Sequence, residues 1–448
     1  MNNIRIDRRH FMKLSGAFAA ALAAQGCTWP SLFSGKPQRR PNIILCMVDD
    51  MGKEGVGCYN PSQASPTPTI DRLAREGMKF DHYYVMPQCT PTRAALLTGQ
   101  YPFRNGWVNH YDVPRWNLKG FNPNTNPCLG TVMKSAGYKT CIAGKWQISD
   151  FRREPSTLND CGFDEYCMWT GAESGNKKSH RRYWDAYIHT KDGSKVYEKQ
   201  YGPDIFTSFV TDFIGQHKDK PMFIYYPMVL QHNPLEKHPL ELSTHAYIDH
   251  LVGKIEASVK KAGIAENTIL IFFTDNGRVG KGKTIESGVC VPLIVNGPGI
   301  VLKGIETDAL VDVTDFLPTL AELADADLPQ QYTYDGRSFA KLLLGKATDS
   351  PREWILSMGG QPCMYPKRGN GPFEGKNKVA YRDRVLRDKS YKVYVNTKGK
   401  IEKLIDLKAD PLEKRNILSS ENPEVKAAIQ KFEAAIKQFP EKDNNPRY

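Results

Sequence analysis

The sequence predicts a layered α/β protein, and three observations carry that expectation. Continuous apolar runs stop abruptly at polar residues. Amphipathic stretches lie between them. Composition then shifts after Lys346, marking a smaller C-terminal part. At 448 residues the chain exceeds one simple core and suits a large domain plus a smaller one.

The first apolar run is "NIILCMVDD", ending at Asp49 and Asp50. Such runs fit strands buried on both faces, as in a parallel sheet. "GYKTCIAGKWQ" ends the same way at Lys145, "MFIYYPMVLQHNP" at His232, and "NTILIFFTDNG" at Asp275 and Asn276. In open α/β sheets the C-terminal strand edge is where sites form. A single polar strand end is an ordinary turn; four that deliver Asp, Lys, His and Asn point to chemistry.

Helices are expected between these strands. "TPTIDRLAREGMKF" has Pro68 near its start and Gly77 as a stop. "TRAALLTG" reads as a helix beginning just after Pro91 and ending at Gly99, and "VTDFLPTLAELAD" as another from Val313 to Asp325. The alternation places a layered domain at 41–346. Residues 347–448 read as a smaller α+β unit: short strands in "WILSMGG", "KVAYRDRVLRD" and "SYKVYVNTKGKIEKLIDL", then a terminal helix with Pro423 near its start. There are no internal repeats.

Composition narrows the function classes. Apolar content of 40% and charged content of 25% are those of a globular protein. The net charge of +12 comes from 61 basic and 49 acidic side chains, with no basic stripe and no nucleic-acid-binding module. A nucleic-acid partner is therefore not expected; a diffuse positive field favours an anionic substrate. Ten cysteines without a CxxC pair exclude zinc-ribbon and thioredoxin patterns. Cys46, Cys141 and Cys290 sit in apolar runs as small hydrophobes. Cys161 with Cys167, or Cys58 with another, are candidate disulfide partners in an oxidising compartment.

Residues 1–27 read as an export signal with a twin-arginine look: Arg8–Arg9 precede the short apolar run Leu14–Ala24. "AAQGC" loosely resembles a lipoprotein cleavage box, with Ala24 where leucine is usual, so a lipid anchor at Cys27 stays open. Residues 28–40 read as a linker. The expected location is outside the cytoplasm: periplasmic, extracellular or lipid-anchored to the envelope.

"QCTPTRAALLTGQYPFRNG" then poses a choice for Cys89. A thiolate at a helix start near Arg93 would have a lowered pKa, but a cysteine hydrolase needs a base beside it, and the nearest histidine in sequence is His82. A buried structural cysteine suits Cys46 better, because Gln88, Thr90 and Thr92 flank Cys89.

The third answer is a resemblance. C-x-P-x-R followed by "LLTG" and "YPFRNG" resembles the signature of type I sulfatases, with Thr92 where serine is usual. "PNIILCMVDDMG", "GYKTCIAGKWQ", "HNP", "TDNG", "GKGKTIESGVCVPLIVNGPG" and "KLIDLKADPLEKRNI" resemble further family elements, in order, across nearly the whole chain. The resemblance implies the alkaline-phosphatase-like fold: a large mixed β-sheet sandwiched by helices, plus a small C-terminal antiparallel sheet with a packed helix. It implies that a maturation enzyme oxidises Cys89 to Cα-formylglycine. It implies metal ligation by Asp49, Asp50, Asp275, Asn276 and residue 89. Those hard oxygens suit Ca²⁺ or Mg²⁺ rather than zinc, and the family usually holds Ca²⁺.

By the same resemblance, the metal, Lys145 and Lys281 neutralise a sulfate ester and the charge that grows on its oxygens, and Arg93 helps the metal activate the attacking hydroxyl. His232 protonates the departing alcohol. Gln147 stands where the family has a histidine that assists sulfate release. Glutamine hydrogen-bonds but takes no proton at neutral pH. Another base is then needed, Asp275 or His110, or sulfate release is slow. The implied activity is hydrolysis of sulfate esters, of a sulfated small molecule or glycan. Two alternatives remain: a phosphoester or phosphonate hydrolase of the same superfamily, and a catalytically impaired glycan-binding homologue. "VNHYDVPRW" and "HRRYWDAYIH" offer aromatics and cations for a leaving-group pocket, or for ordinary loop packing.

Overall fold

Every residue of the strand Asn42–Val48 is buried. Ile43, Leu45 and Met47 enter one apolar core and Ile44, Cys46 and Val48 another, as the alternation of a strand requires. A sheet with two apolar faces needs helices on both, so this strand is the spine of a three-layer sandwich. The computed structural model describes residues 40–61, 67–359, 384–396 and 398–440. The expected export signal, Cys27 and the linker up to residue 39 lie outside the described residues.

The large sheet has ten strands. From edge to edge they are Ile305–Asp312, Met78–Tyr84, Leu293–Asn296, Thr268–Thr274, Asn42–Val48, Met222–Pro227, Lys139–Lys145, Glu165–Trp169, Tyr187–Thr190 and Gly193–Val196. The five from Thr268–Thr274 to Glu165–Trp169 are mutually parallel. Leu293–Asn296 and the two strands beyond Glu165–Trp169 pair antiparallel, so the sheet is mixed. All four chemistry-bearing runs fall in the parallel block, and their C-terminal ends open on one edge.

Helices Gly202–His217 and Thr244–Lys261 cover one face, while Cys89–Thr98 and Phe316–Leu323 cover the other. The helix expected to begin at Thr92, just after Pro91, begins three residues earlier, at Cys89. Proline lacks only an N–H that the first turn leaves unbonded anyway, so Pro91 sits inside that turn. Gly99 ends the helix with φ +63°, a left-handed cap that glycine adopts without strain. The segment expected as one helix from Val313 opens with a 3₁₀ turn, Val313–Asp315, before the α-helix.

Ile355–Met358, Arg384–Arg387, Tyr391–Val395 and Ile401–Asp406 form an antiparallel four-stranded sheet. Helix Pro423–Ile436 packs Phe432 with Val393 and Leu404, in the same apolar cluster as Leu97 and Leu317 of the large layer. The described chain from Arg40 onward is one compact unit. The candidate disulfides do not form: Cys161 and Cys167 serve cores on opposite faces of the sheet, and all eight described cysteines, Cys58 included, are free thiols.

Candidate active site

Three strand ends and one helix start converge. Asp49 and Asp50 follow the strand Asn42–Val48, Asp275 and Asn276 follow Thr268–Thr274, and Lys145 ends Lys139–Lys145. Cys89 opens its helix directly opposite. Its Sγ lies 3.4 Å from Asp49 Oδ1, 3.4 Å from Asn276 Oδ1 and 3.8 Å from Asp50 Oδ1. Asp50 has φ +60°, a strained value that turns its carboxylate back to the cluster. The Thr92 hydroxyl donates to the Asp275 carbonyl at 2.7 Å and pins the helix start to that strand end.

Each carboxylate is matched by a cation. Arg93 Nη2 lies 2.8 Å from Asp275 Oδ2 and Nη1 donates to the Lys145 carbonyl at 2.7 Å. Lys145 Nζ is 2.5 Å from Asp49, and Lys281 Nζ 2.6 Å from Asp50. Burial raises an aspartate pKa, yet Lys145, His232 and Arg93 hold Asp49 well below the usual range. Asp275 is pushed up to about 6 by burial and by the negative charge of Asp49. Burial, then Asp275 and Asp49, push the Cys89 thiol well above its ordinary value. An unmodified Cys89 is thus held neutral, which removes the thiolate nucleophile.

The donor set fits a hard divalent cation. Asp49, Asp50, Cys89 and Asp275 each offer an atom within 4.8 Å of the others, and Asn276 adds an amide oxygen. Three like-charged, crowded carboxylates with an amide oxygen beside them are a donor set that Ca²⁺ or Mg²⁺ would relieve. His232 Nε2 stands 3.9 Å from Asp50 Oδ2, at the rim of this group.

The structure therefore brings Cys89, Arg93, Lys145, His232 and Lys281 around the four proposed ligands. Gln147 is nearby and differently engaged. It has φ +69° and is 6% exposed, and its amide bonds Asp112. Among the described residues its Oε1 has no partner. His110 sits on a loop stitched to the start of the Cys89 helix: its N–H donates to Gln88 Oε1 at 3.1 Å, and Tyr111 N–H donates to Thr90 Oγ1 at 2.8 Å. Burial, then Lys145, Lys281 and His232, lower the His110 pKa, so its imidazole is neutral.

Arg182 was not singled out by the sequence. Its Nη2 lies 3.2 Å from His232 Nδ1 and donates to the carbonyls of His232 at 3.1 Å and Asn233 at 2.5 Å. The guanidinium rests over Trp169 and Tyr183. Gln231 also escaped notice; its Nε2 donates to the Asp50 carbonyl at 3.2 Å and its Oε1 accepts from Arg278 at 2.9 Å. Only the "HRRYW" pattern of cations and aromatics hinted at Arg182. Trp184 turns elsewhere: it donates to the Lys237 carbonyl and lines, with Tyr197, Tyr201 and Phe209, a cavity of about 530 Å³ that no candidate catalytic residue reaches.

Comparison with known proteins decides the family. The sulfatase family model matches residues 41–326. The chain belongs to the sulfatase family. Residues 277–442 also match the C-terminal model of N-sulphoglucosamine sulphohydrolase. Human arylsulfatase A is 29% identical over 88% of this sulfatase and 87% of its own length. Mouse N-acetylgalactosamine-6-sulfatase is 31% identical over 71% and 69%. Among solved structures, Ps i-CgsB aligns with TM-score 0.74 and 24% identity, covering 92% of this chain and 95% of its own. The PsFucS1 sulfatase of Pseudoalteromonas sp. aligns with TM-score 0.70 and 23% identity, covering 98% and 96%. The fold is that of the alkaline-phosphatase-like superfamily and the enzyme is a sulfuric ester hydrolase. Among the described residues no helix is long and apolar enough to cross a membrane.

Proposed function

We propose that this sulfatase is exported and hydrolyses sulfate esters of a carbohydrate, through formylglycine made from Cys89 and a Ca²⁺ or Mg²⁺ ion. The observation that carries the proposal is Cys89 facing Asp49, Asp50 and Asn276 at hydrogen-bond range while Arg93, Lys145 and Lys281 ring the same point. The basic surface and the twin-arginine-like N-terminus fit an anionic substrate met outside the cytoplasm. A related structure holds k-i-k-neocarrahexaose, and another D-glucosamine-2-N,6-O-disulfate, which supports the sulfated sugar as substrate class.

Asp49, Asp50, Asp275 and Asn276 would hold the ion, which would supply positive charge to acidify a nearby hydroxyl and to balance charge on the sulfuryl oxygens. Formylglycine supplies, as its hydrate, a pair of geminal hydroxyls, one to attack sulfur and one to expel sulfate without waiting for water. Lys145, paired with Asp49, and Lys281, paired with Asp50, bind the sulfuryl oxygens. Arg93 keeps Asp275 in place and leaves Nε without a partner among the described residues. His232 delivers a proton to the departing alcohol. Burial, Lys145 and Lys281 lower its pKa to about 4 in the free protein. A bound sulfate places negative charge against those same lysines and raises it again.

The remaining proton falls to His110. Gln147 orients its orphan Oε1 by bonding Asp112 but accepts no proton. Asp275 is committed to Arg93 and to the Asp50 N–H at 3.1 Å. Two measurements test this reading. Turnover of an aryl sulfate should exceed that of the matching aryl phosphate at least tenfold, and the reverse order would favour the phosphoester reading. In pre-steady-state assays Gln147→His should leave the slow phase unchanged while His110→Ala slows it; a faster slow phase in Gln147→His would instead favour slow sulfate release caused by Gln147.

A further inference from the structure

Lys145 and Lys281 perform the same task from different supports. Lys145 ends a strand, is 2% exposed and has its carbonyl held by Arg93. Lys281 is carried on the loop 277–285, where its side chain is 30% exposed. A loop lysine with four rotatable bonds needs its backbone fixed from outside.

The C-terminal sheet supplies that fixation. Lys392, in the strand Tyr391–Val395, is fully buried. Its Nζ donates to the Thr284 carbonyl at 2.7 Å and to Glu286 Oε1 at 3.0 Å, and lies 2.7 Å from Glu413. Arg387 Nη1 takes the other Glu286 oxygen at 2.9 Å, and the Tyr84 hydroxyl also bonds Glu286. The Glu286 N–H donates to Glu413 Oε2 at 2.9 Å, and Tyr394 donates to Glu413 Oε1 at 2.9 Å. Burial alone would raise the Glu286 pKa, but Lys392 and Arg387 hold it at about 2.

The loop transmits this anchorage because its own backbone is folded tightly. Gly277 N–H donates to the Gly288 carbonyl at 3.0 Å, and Gly282 N–H to the Pro87 carbonyl at 2.8 Å, two residues before Cys89. A Cβ on Gly288 would stand 2.2 Å from the Lys283 carbonyl oxygen and 2.4 Å from that of Gly280. Between Thr284 and Lys281 the backbone is held by Lys283 N–H donating to the Gly280 carbonyl at 2.9 Å and by the Gly282–Pro87 bond.

We propose that Lys392 and Arg387 of the C-terminal sheet are positioning residues for Lys281: by gripping Glu286 and the Thr284 carbonyl they set where that ammonium meets the sulfuryl group. The inference rests on Lys281 as a sulfate-binding cation. It makes the C-terminal sheet a working part of the active site.

A double-mutant cycle tests it on the full-length enzyme with an aryl sulfate. Lys392→Met should raise KM about tenfold with a smaller change in kcat, and Lys392→Arg should recover most of the loss. In a Lys281→Ala background Lys392→Met should cost less than twofold more. Phe432→Leu, a cavity in the same subdomain away from the loop, should lower the thermal midpoint comparably and leave KM unchanged. Equal losses with and without Lys281, or an equal KM rise from Phe432→Leu, overturn the proposal. If Lys281→Ala alone is silent, the sulfate-binding reading of Lys281 falls with it; if that variant is impaired but Lys392→Met is not, only the positioning role falls. Glu286→Gln gives the same readouts should Lys392→Met fail to fold.

Discussion

Two buried charge clusters lie on either side of the Lys281 loop, and they are built on opposite plans. Around Cys89, Asp49, Asp50 and Asp275 are crowded until Asp275 is pushed up to about 6, and Arg93 Nε and Gln147 Oε1 are left unbonded among the described residues. Around Glu286, two carboxylates meet Lys392 and Arg387 with their hydrogen bonds completed by Tyr84, Tyr394 and backbone groups. Burying charges costs several kcal/mol per ion unless they are paired and bonded. The Glu286 cluster meets that condition and serves as structure. The Cys89 cluster falls short of it, with Arg93 Nε and Gln147 Oε1 unbonded among the described residues.

Breaking each cluster should therefore damage different properties. Cys89→Ala should abolish turnover, by about 1,000-fold or more, while circular dichroism and the thermal midpoint stay close to wild type. A chelator should come next: activity falls on the order of 100-fold and returns with Ca²⁺ or Mg²⁺. Recovery with Zn²⁺ alone would contradict the all-oxygen donor set.

Arg182→Ala should lower kcat about tenfold with little change in KM, since it frees the His232 ring without touching a sulfate-binding cation. A pure KM effect would place Arg182 on the substrate instead.

The smallest effect on activity should come from acid stability. The Glu286 carboxyl has its folded pKa depressed from 4.5 to about 2. Its stabilising contribution is therefore complete above about pH 4.5 and is lost as pH falls toward 2. At 1.36 kcal/mol per unit the shift amounts to roughly 3 kcal/mol. Denaturant titrations between pH 2 and 5 should show wild type losing stability more steeply than Glu286→Gln. Parallel curves would place the stabilisation elsewhere.

The comparison also shows what a sequence discloses. The strand ends at Asp49, Lys145 and Asp275 were legible because an apolar run interrupted by Asp or Lys is local information. So was the mixed architecture, once the resemblance was added. The run expected to end at His232 stops instead at Pro227, where proline can no longer extend the ladder, and His232 lies five residues further on in a loop. The helix start was misjudged by three residues because Pro91 reads as a boundary although a first turn tolerates it. Pairs remote in sequence were not legible: Arg182 with His232 are 50 positions apart and Glu286 with Lys392 are 106. Nothing near either residue signals its partner. The cysteine pairing failed for a related reason, since spacing between Cys161 and Cys167 says nothing about which sheet face each serves.

The central claim is that the atom facing Asp49, Asp50 and Asn276 at position 89 is an aldehyde-derived oxygen in the working enzyme. Mass spectrometry of the peptide containing residue 89, from active protein made in its native host, tests this directly. The account predicts the mass of formylglycine or its hydrate, and labelling by a carbonyl-reactive hydrazide. A fully active preparation whose residue 89 carries an alkylatable thiol would contradict it.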